Sequence, residues 1–521
     1  MAVIIPHSKS FARSVVVLGG SYSGLHAAEL LSKHLPPNWS LTLIERNSHF
    51  NHVYSFPRLA VTGNSHRGFV PYTGMSQSFK NNCTDQPSHR IINATVTRIS
   101  MGRIYLDRIV GSDCPTASTT DSQLVRFHDA EVDSGYGSSN EPITKQLNHP
   151  HHSHIQPSDD SLSQSITSNS IPWDFLVYAL GSQPSHPLQL PSNQPRTKLN
   201  GVLYLQNQKE RIAAAEKIVV VGGGALGIQY ATDIAHRYKL LNKPKSITLI
   251  HSRARLMPLF KPEVHAKAKA ALEELGVRLV LGERVDLRNL KSDLEQQVPG
   301  EIVTVRSLND PQMTWEADLV LLCSGQVPNT RLMAEFCPLA VPGGASSWEG
   351  LIKVKRTLQL DPSTLGPAPI ESPTGQALRC ECASNCYSSP SSTSRTLDPS
   401  LQRVFAIGDC TDAFGAIKAG HTGWNQAEIA AKNIVKLANQ IEKAGCLSSD
   451  LSSVKLDEYH PGPPMIKLTL GLNRMVTQLS NKDLGDGEVE VEEKILDFND
   501  RSWTYAWVNK GISAEDVGDG W

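Results

Sequence analysis

Short apolar runs along the chain alternate with segments in which apolar residues recur every three or four positions. The runs "SVVVLGG" and "SLTLIER" predict buried strands, and "GLHAAELLSKHL" between them predicts an amphipathic helix. From Lys217 on, the unit recurs as "KIVVVGGG", "ALGIQYATDIAHRYKLL" and "SITLIHS". Strands that alternate with helices are typical of parallel sheets covered by helices. The pattern therefore predicts an α/β fold that contains one βαβ unit twice.

Two polar stretches interrupt this pattern. The stretch at about 111–171 is rich in Ser, Asp, His and Asn, and the stretch at about 361–402 contains "SSPSSTSR". Such segments bury too little apolar surface to offset the entropy of ordering, so we predict that both are mostly disordered insertions. The distance between the two βαβ units fits one domain inserted into another. The predicted domains are a first domain in two parts, 14–199 and 331–440, an inserted domain, 200–330, and a C-terminal region, 441–521.

The charge balance and the absence of long apolar runs exclude several functions. The 521 residues include 50 Lys and Arg and 51 Asp and Glu, a net charge of −1 that offers no footprint for nucleic acid. No apolar run reaches the length of about 18 residues that a membrane span needs. The polar first 14 residues and Ala2 resemble neither a signal peptide nor a myristoylation site. We therefore expect a cytoplasmic protein without a transmembrane segment; a peripheral membrane contact stays open.

The cysteines and histidines do not predict a redox or metal centre. The nine cysteines include no C-x-x-C or C-x-x-x-x-C pair, so a dithiol relay is not expected. Cys380, Cys382 and Cys386 lack a fourth ligand at zinc-ribbon spacing. The run "HPHHSH" at 149–154 has no carboxylate or cysteine framework around it. We predict no metal site.

The turn "LGGSYSGL" after the first strand has most of the features of a dinucleotide-binding turn. Gly19 suits the tight turn and Gly24 suits close packing of helix on strand, whereas Ser21 stands where the usual middle glycine lets the backbone approach a pyrophosphate. The helix N-terminus at Ser21–Gly24 would present N–H groups to a diphosphate. Glu45, 21 residues past Gly24, stands where a ribose-binding carboxylate belongs. The turn predicts nucleotide binding; the alternative is an ordinary turn between a strand and a helix.

The second turn matches the glycine pattern in full. Gly222, Gly224 and Gly227 form G-x-G-x-x-G after a strand and before a helix. The ribose position holds His251, followed by Ser252 and Arg253, with no carboxylate to meet a 2′-hydroxyl. A hydroxyl and a guanidinium there favour a 2′-phosphate, so we expect NADPH rather than NADH. The alternative for Arg253 is a solvated surface charge.

A third stretch, "RVFAIGDCTD", predicts a short strand that ends at Gly408 and Asp409. A carboxylate at that place can accept hydrogen bonds from a ribityl chain, and the glycine allows close approach of a cofactor. The helix "HTGWNQAEIAAKNIVKL" follows, and its positive N-terminus favours the negative charge that a flavin gains on reduction. Two nucleotide turns and this strand together predict FAD and a nicotinamide dinucleotide in one chain.

These motifs in this order resemble the two-dinucleotide-binding flavoproteins and, more narrowly, the AMID or ferroptosis suppressor branch of the apoptosis-inducing factor family. The similarity lies in "VVVLGG…GL", "ITLIHS", "ADLVLLCSGQ", "RVFAIGDCTD" and the "NIV" of the following helix. It implies two Rossmann-like dinucleotide-binding domains, an NAD(P) domain inserted into an FAD domain, with a small C-terminal α+β region. The implied activity passes hydride from NAD(P)H to FAD and electrons to a quinone-like acceptor.

The resemblance also implies which residues contact FAD, and Lys418 falls close to the position of a flavin-proximal lysine, with a shift of one residue. Gln229 stands where the family's second helix has a glutamate that helps to position the nicotinamide. The implied contacts are Gly19, Gly20, Ser21, Tyr22, Ser23, Gly24, Glu45, Arg58, Val96 and Asp409.

The sequence leaves the acceptor open among a quinone, dioxygen and a small metabolite. No side chain stands out as an obligatory acid or base. Two alternatives remain. One is a tailoring flavoenzyme that acts on a specific small molecule. The other is a redox-sensing interaction protein in which slow reduction of FAD by NADPH changes partner binding.

Overall fold

The computed structural model describes residues 13–72, 89–110, 168–184, 186–288, 290, 294, 300–343, 350–362, 399–447, 451–481 and 487–496. The helices are α1 Tyr22–His34, α2 Phe56–Thr62, α3 Lys198–Ala214, α4 Ala225–Leu240, α5 Pro262–Glu274, α6 Arg331–Phe336 and α7 Gly420–Ala444. The strands are β1 Arg13–Leu18, β2 Trp39–Glu45, β3 His49–Asn51, β4 Phe69–Pro71, β5 Arg90–Asn93, β6 Val96–Ser100, β7 Arg103–Val110, β8 Ser168–Pro172, β9 Phe175–Tyr178, β10 Ser182–Gln183, β11 Lys217–Val221, β12 Ser246–His251, β13 Arg278–Leu281, β14 Val303–Arg306, β15 Thr314–Ala317, β16 Leu319–Leu322, β17 Val327–Pro328, β18 Ile352–Lys353, β19 Val404–Ala406, β20 Thr411–Asp412, β21 Ile466–Thr469, β22 Arg474–Ser480 and β23 Val489–Ile495.

The first sheet is parallel, with the strand order β19-β9-β1-β2-β5. Val15 to Leu18 in β1 are all fully buried, because both faces of the sheet are covered. Helix α1 packs against helix α7 beside it, and the β6-β7-β8 sheet contributes Ile104 and Ile171 to the same core. Strand β19 belongs to this sheet, although it follows the strands of the second sheet in the chain.

The second sheet is also parallel, with the order β13-β12-β11-β16. Its central strand β11 leads through a glycine turn into α4, as β1 leads into α1. The carboxyl ends of β11, β12 and β16 meet at one edge of the sheet, beside the start of α4. In doubly wound sheets this edge is where ligands bind.

The C-terminal sheet is antiparallel, with the order β21-β22-β23, and packs on α4 and α5. The acidic run "DGEVEVEEK" supplies its edge strand β23, whose side chains are mostly exposed. The tryptophan-rich residues 502–521 lie outside the described residues.

The predicted limits of the two insertions are wrong at their C-terminal ends. Residues 168–171 belong to β8, which pairs antiparallel with β7 and buries Ile171 to 4 % exposure. Residues 399–402 lie in a 3-10 turn, Pro399–Arg403, that buries Leu401. In both cases one apolar side chain of a polar segment is buried, and in the first case strand pairing holds the segment as well. Residues 111–167 and 363–398, with the histidine run and Cys380, Cys382 and Cys386, lie outside the described residues, and the domain limits stay predictions.

Within the described ranges, no helix carries an apolar stretch long enough to cross a bilayer. Over the same part of the chain, no three His, Cys, Asp or Glu side chains are grouped so that they could hold a metal ion.

Candidate cofactor and redox site

The first glycine turn depends on the absence of side chains at two positions. Gly19 has φ +97°, and a Cβ atom there would lie 2.5 Å from the Ala179 carbonyl oxygen. A Cβ atom at Gly24 would lie 1.9 Å from the carbonyl oxygen of Gly19. Any larger residue at either position would force the turn apart, so the strand can lead this tightly into the helix only through glycine. Ser21 is exposed at the start of α1.

Glu45 ends β2 beside this turn, as the spacing predicts. Its Oε2 accepts the Gly20 N–H at 2.6 Å, and its Oε1 accepts the backbone and side-chain N–H groups of Asn47 at 2.8 and 2.7 Å. The Tyr72 hydroxyl donates to the Gly20 carbonyl at 2.8 Å. The carboxylate thus fixes the turn, and it stands at the strand end where the sequence predicts a ribose-binding carboxylate.

A cavity of about 400 Å³ runs along the turn, within the range usual for ligand pockets. Arg58 is absent from its lining, and Gly20, Gly24 and Gly408 lie in the turns next to it. The sequence-predicted residues that do line it are Gly19, Ser21, Tyr22, Ser23, Glu45, Val96, Asp409 and Lys418.

Ser23 is packed between Gly408 in the chain's third motif and Gly423 in α7. A Cβ atom at Gly408 would lie 2.7 Å from the Ser23 Oγ, and one at Gly423 would lie 2.1 Å from it. Gly408 has φ +83°, and its N–H donates to the Gln426 Oε1 at 2.7 Å. The serine is therefore accommodated by a glycine just after β19 and a glycine in α7, and the close approach of these elements is kept.

Asp409 and Lys418 form a charged group at one end of the cavity. The Ser182 hydroxyl lies 3.1 Å from the Asp409 Oδ2 and 2.9 Å from the Gln326 Oε1. Burial raises the pKa of Asp409, and the Ser182 contact and the Lys418 charge oppose the rise. Burial lowers the pKa of Lys418, Asp409 opposes that, and the ammonium donates to the Thr411 carbonyl at 2.5 Å. Each charge reduces the cost of burying the other, in the place predicted for the flavin.

An aromatic cluster that the sequence analysis did not identify lies beside this end: Tyr22, Phe50, His52 and Tyr54. Burial lowers the pKa of His52 to about 4 and raises that of Tyr22, so both are neutral at pH 7. The Tyr22 hydroxyl lies within hydrogen-bond distance of the His52 Nδ1, at 2.9 Å. The Tyr54 side chain is exposed, with its oxygen accepting the Gly420 N–H at 2.8 Å at the start of α7. The aromatic-rich stretch "HFNHVYSF" at 49–56 is the sequence feature from which this cluster could have been predicted.

The second glycine turn repeats the geometry of the first. Gly222 has φ +119°, and a Cβ atom there would lie 2.7 Å from the Cys323 carbonyl oxygen. A Cβ atom at Gly227 would lie 1.9 Å from the Gly222 carbonyl oxygen, whereas Gly224 faces open space. The open space at Gly224 suits the close approach of a pyrophosphate.

His251 takes the place that Glu45 has in the first turn. Its Nδ1 accepts the Gly223 N–H at 3.1 Å. Burial, and then the charge of Arg253, lower the pKa of His251, so the ring is neutral at pH 7. Ser252 and Arg253 follow directly and are exposed. This edge therefore offers a hydroxyl and a cation, with an uncharged ring at the ribose position.

Two residues singled out from the sequence bind elsewhere. Arg58, implied as an FAD contact, donates to the Asp233 carboxylate at 2.7 and 3.1 Å and does not line the cavity. Gln229, at the position of the family's glutamate, donates to the Thr469 hydroxyl at 3.1 Å.

The cysteine beside Asp409 is a packing residue. Cys410 is fully buried, its thiol donates to the Ile407 carbonyl at 3.3 Å, and burial raises its pKa to about 12. Of the described residues that line the cavity, none is a cysteine.

The residues fit two dinucleotides. The first turn, Glu45 and the Asp409 strand form one cavity with acceptors for ribose and ribityl hydroxyls, as FAD requires. The second turn leaves an open approach at Gly224 beside a cationic edge, as a nicotinamide dinucleotide requires.

Comparisons with known proteins agree with this geometry. Fe-regulated protein 8 of Mycosarcoma maydis is 34% identical over 514 residues, which covers 97% of this chain and 96% of that protein. Ferroptosis suppressor protein 1 of Taeniopygia guttata is 26% identical over 333 residues, 64% of this chain and 71% of that protein. The structure of NDH2 from Plasmodium falciparum in complex with NADH has the same fold, with a TM-score of 0.53, 10% identity and coverage of 96% and 95% of the two chains.

The predicted α/β fold with Rossmann-like domains is confirmed, as are the cofactors FAD and NAD(P)H and the oxidoreductase activity that depends on them. Residues 13–360 match the family described as pyridine nucleotide-disulphide oxidoreductase. The chain belongs to this pyridine nucleotide-disulphide oxidoreductase family.

Proposed function

We propose that the protein passes electrons from NADPH through FAD directly to a quinone-like acceptor. The observation that carries the proposal is the lining of the cavity. Among its described residues there is no thiol to relay electrons, and its lining includes the apolar side chains of Val53, Phe56 and Leu188 as well as the charged Asp409 and Lys418. A planar, weakly polar acceptor suits such a lining.

FAD, when bound, supplies the ring that accepts hydride and releases electrons. The protein's part is binding and orientation: the first turn and Glu45 hold the dinucleotide, and Asp409 meets its ribityl chain. Lys418 and the N-terminus of α7 favour negative charge at the cavity end. Tyr22 and His52 are both neutral at pH 7, so the neighbouring aromatic cluster adds no competing charge. The rate enhancement comes mainly from positioning.

The quinone-like acceptor rests also on the resemblance to the ferroptosis suppressor branch. We would reduce the protein anaerobically with NADPH, follow the flavin absorbance, and then add water-soluble ubiquinone and menaquinone analogues. We expect fast bleaching and fast reoxidation by at least one quinone over many turnovers.

Other outcomes would contradict the proposal. Reoxidation by dioxygen alone would favour an oxidase, and reoxidation only by another small molecule would favour a tailoring enzyme. Slow reduction to a long-lived complex with a changed oligomeric state would favour a redox sensor.

The preference for NADPH rests on Ser252, Arg253 and the neutral His251. We expect Arg253→Ala to raise the KM for NADPH about tenfold, which corresponds to about 1.4 kcal/mol, and to leave that for NADH nearly unchanged. Arg278→Ala is the matched control, because this exposed arginine lies in the same sheet at the other end of the strands. Equal effects of Arg253→Ala on both dinucleotides would contradict the 2′-phosphate assignment.

A further inference from the structure

Arg58 and Asp233 form a buried ion pair between helices α2 and α4. The Arg58 Nε and Nη2 donate to the two carboxylate oxygens at 2.7 and 3.1 Å. The Asp233 side chain is 1 % exposed and that of Arg58 26 %. Burial raises the pKa of Asp233, and the guanidinium opposes the rise. The guanidinium therefore offsets part of the cost of burying the carboxylate.

The same guanidinium also binds the turn between β21 and β22. Its Nη2 donates to the Gly471 carbonyl at 2.9 Å, and its Nη1 donates to the Leu472 carbonyl at 3.4 Å. One side chain thus joins three segments that are 175 and more than 400 residues apart in sequence.

Helix α4 meets that turn with a continuous polar face. Gln229, Asp233 and His236 are spaced by four and three residues, so they lie on one side of the helix. Gln229 binds Thr469, and the Leu472 N–H donates to the His236 Nδ1 at 3.1 Å. Gly471 has φ +79°, and a Cβ atom there would lie 2.8 Å from the His236 Nδ1. The turn is therefore seated closely along the helix.

Both helices lead directly to a nucleotide site. Phe56, two residues before Arg58, lines the cavity. Helix α4 begins after Gly224, nine residues before Asp233, which is about 13 Å along a helix. Because a helix moves as a rigid body over this distance, a shift at Asp233 displaces the second glycine turn relative to the cavity.

Apolar contacts between these helices supply stability alongside the ion pair. Leu59, Ala60, Ile228 and Ile234 belong to one buried cluster that already holds α2 against α4. Buried ion pairs add little net stability compared with apolar side chains of similar size, but one directional arrangement satisfies them. The pair is therefore suited to selecting the register.

We propose that Arg58 and Asp233, with the turn at 470–473, are positioning residues that set the second dinucleotide turn against the FAD cavity and so align the nicotinamide for hydride transfer. The inference concerns only the reduction of FAD by NADPH. It holds whether or not the acceptor is a quinone, and its test omits the acceptor.

The test compares Arg58→Met/Asp233→Leu with the wild-type holoprotein. We expect the NADP⁺ dissociation constant from calorimetry to stay within about twofold, because Gly222, Gly224 and Arg253 are untouched. The limiting rate constant of anaerobic flavin bleaching should fall about 10- to 100-fold, since small misplacements of reacting groups have effects of that size. Hydrogen exchange at 466–473 should accelerate.

Arg58→Lys keeps the charge but loses the two-pronged contact, and we expect a rate constant between those of the wild type and the double variant. The matched control is Lys267→Met/Glu493→Leu, which removes a 2.9 Å pair between α5 and β23 and leaves α2 alone. Its rate constant should equal that of the wild type.

The proposal is overturned if the folded double variant bleaches within twofold of the wild-type rate, or if its rate and NADP⁺ affinity fall in parallel. Unchanged exchange at 466–473 would also overturn it. Should the double variant not fold, Arg58→Lys is judged by the same criteria.

Discussion

The first dinucleotide turn, 19–24, and the second, 222–227, place glycine at the same two structural positions. Each begins with a glycine of positive φ, +97° and +119°, and each ends with a glycine whose added Cβ would lie 1.9 Å from a carbonyl oxygen. In each turn, the side chain at the end of the next strand accepts a hydrogen bond from a backbone N–H of the turn. Glu45 accepts the Gly20 N–H at 2.6 Å, and His251 accepts the Gly223 N–H at 3.1 Å.

The two turns differ in the side chain that accepts this hydrogen bond. Glu45 brings a carboxylate to a cavity, whereas His251 brings a neutral ring to an exposed edge followed by Arg253. We predict that this one backbone scaffold serves two cofactors, and that the residue at the strand end determines which ribose substituent is accepted. The two turns also differ at the position of the middle glycine of G-x-G-x-x-G. The first turn has Ser21 there, at the start of its helix, whereas the second turn has Gly224.

The largest expected effect is the loss of a different cofactor when the closely packed glycine of each turn is replaced. Gly24→Ala should yield protein without the yellow flavin, because the added methyl group clashes with backbone and overpacking costs about 1–3 kcal/mol or more. Gly227→Ala should keep FAD, with a dissociation constant for NADPH raised at least about tenfold. Absorbance at 450 nm and titration with NADPH measure both effects.

The control for both glycine variants is Gly462→Ala, because nothing lies within 4 Å of a Cβ atom there. It should change neither cofactor. Full flavin content in Gly24→Ala would show that the first turn is not the FAD site.

A smaller effect is expected from exchanging the strand-end chemistry. His251→Glu combined with Arg253→Ala should shift the preference from NADPH towards NADH by about 10- to 100-fold in kcat/KM, because a carboxylate accepts ribose hydroxyls and repels a 2′-phosphate.

The matched change in the first turn is Glu45→Gln, which keeps an acceptor for the Gly20 N–H and removes the charge. It should weaken FAD binding about tenfold and leave the dinucleotide preference as it is. An unchanged NADPH/NADH ratio in the His251 variant would refute the role given to this position.

The smallest effect concerns the buried cysteines next to the two turns, Cys410 and Cys323. Burial raises the pKa of both thiols, to about 12 for Cys410, so iodoacetamide at pH 8 should leave both unmodified while it alkylates the exposed Cys446. Peptide mass spectrometry measures this, and activity should be unchanged. Alkylation of Cys410 with loss of flavin reduction would instead point to a thiol step.

The glycine turns could be predicted because their determinants are local. A strand, a turn and a helix occupy consecutive residues, and only glycine tolerates φ near +97° with a carbonyl so close. Glu45 and His251 were predicted for the same reason, since a βαβ unit fixes how far along the chain the next strand ends. The stretch "RVFAIGD" likewise predicted the strand and the carboxylate at its end, although β19 has only three residues.

Contacts between distant segments could not be predicted in this way. Arg58 binds Asp233 and the Gly471 carbonyl, Tyr54 accepts the Gly420 N–H, and β8 pairs with β7 across residues 111–167. None of these partners is marked by spacing or composition, because each pair meets only after separate elements have packed.

The sequence by itself determined the α/β class, the two turns and the strand-end residues, because backbone sterics and periodicity act over a few residues. The tertiary structure alone decided that Arg58 binds the buried Asp233 carboxylate rather than lining the cavity. It also decided that an aromatic cluster borders the cavity end. Burial is the physical reason, because the strength of a charge or hydrogen bond depends on the water removed by neighbours that the chain brings from far away.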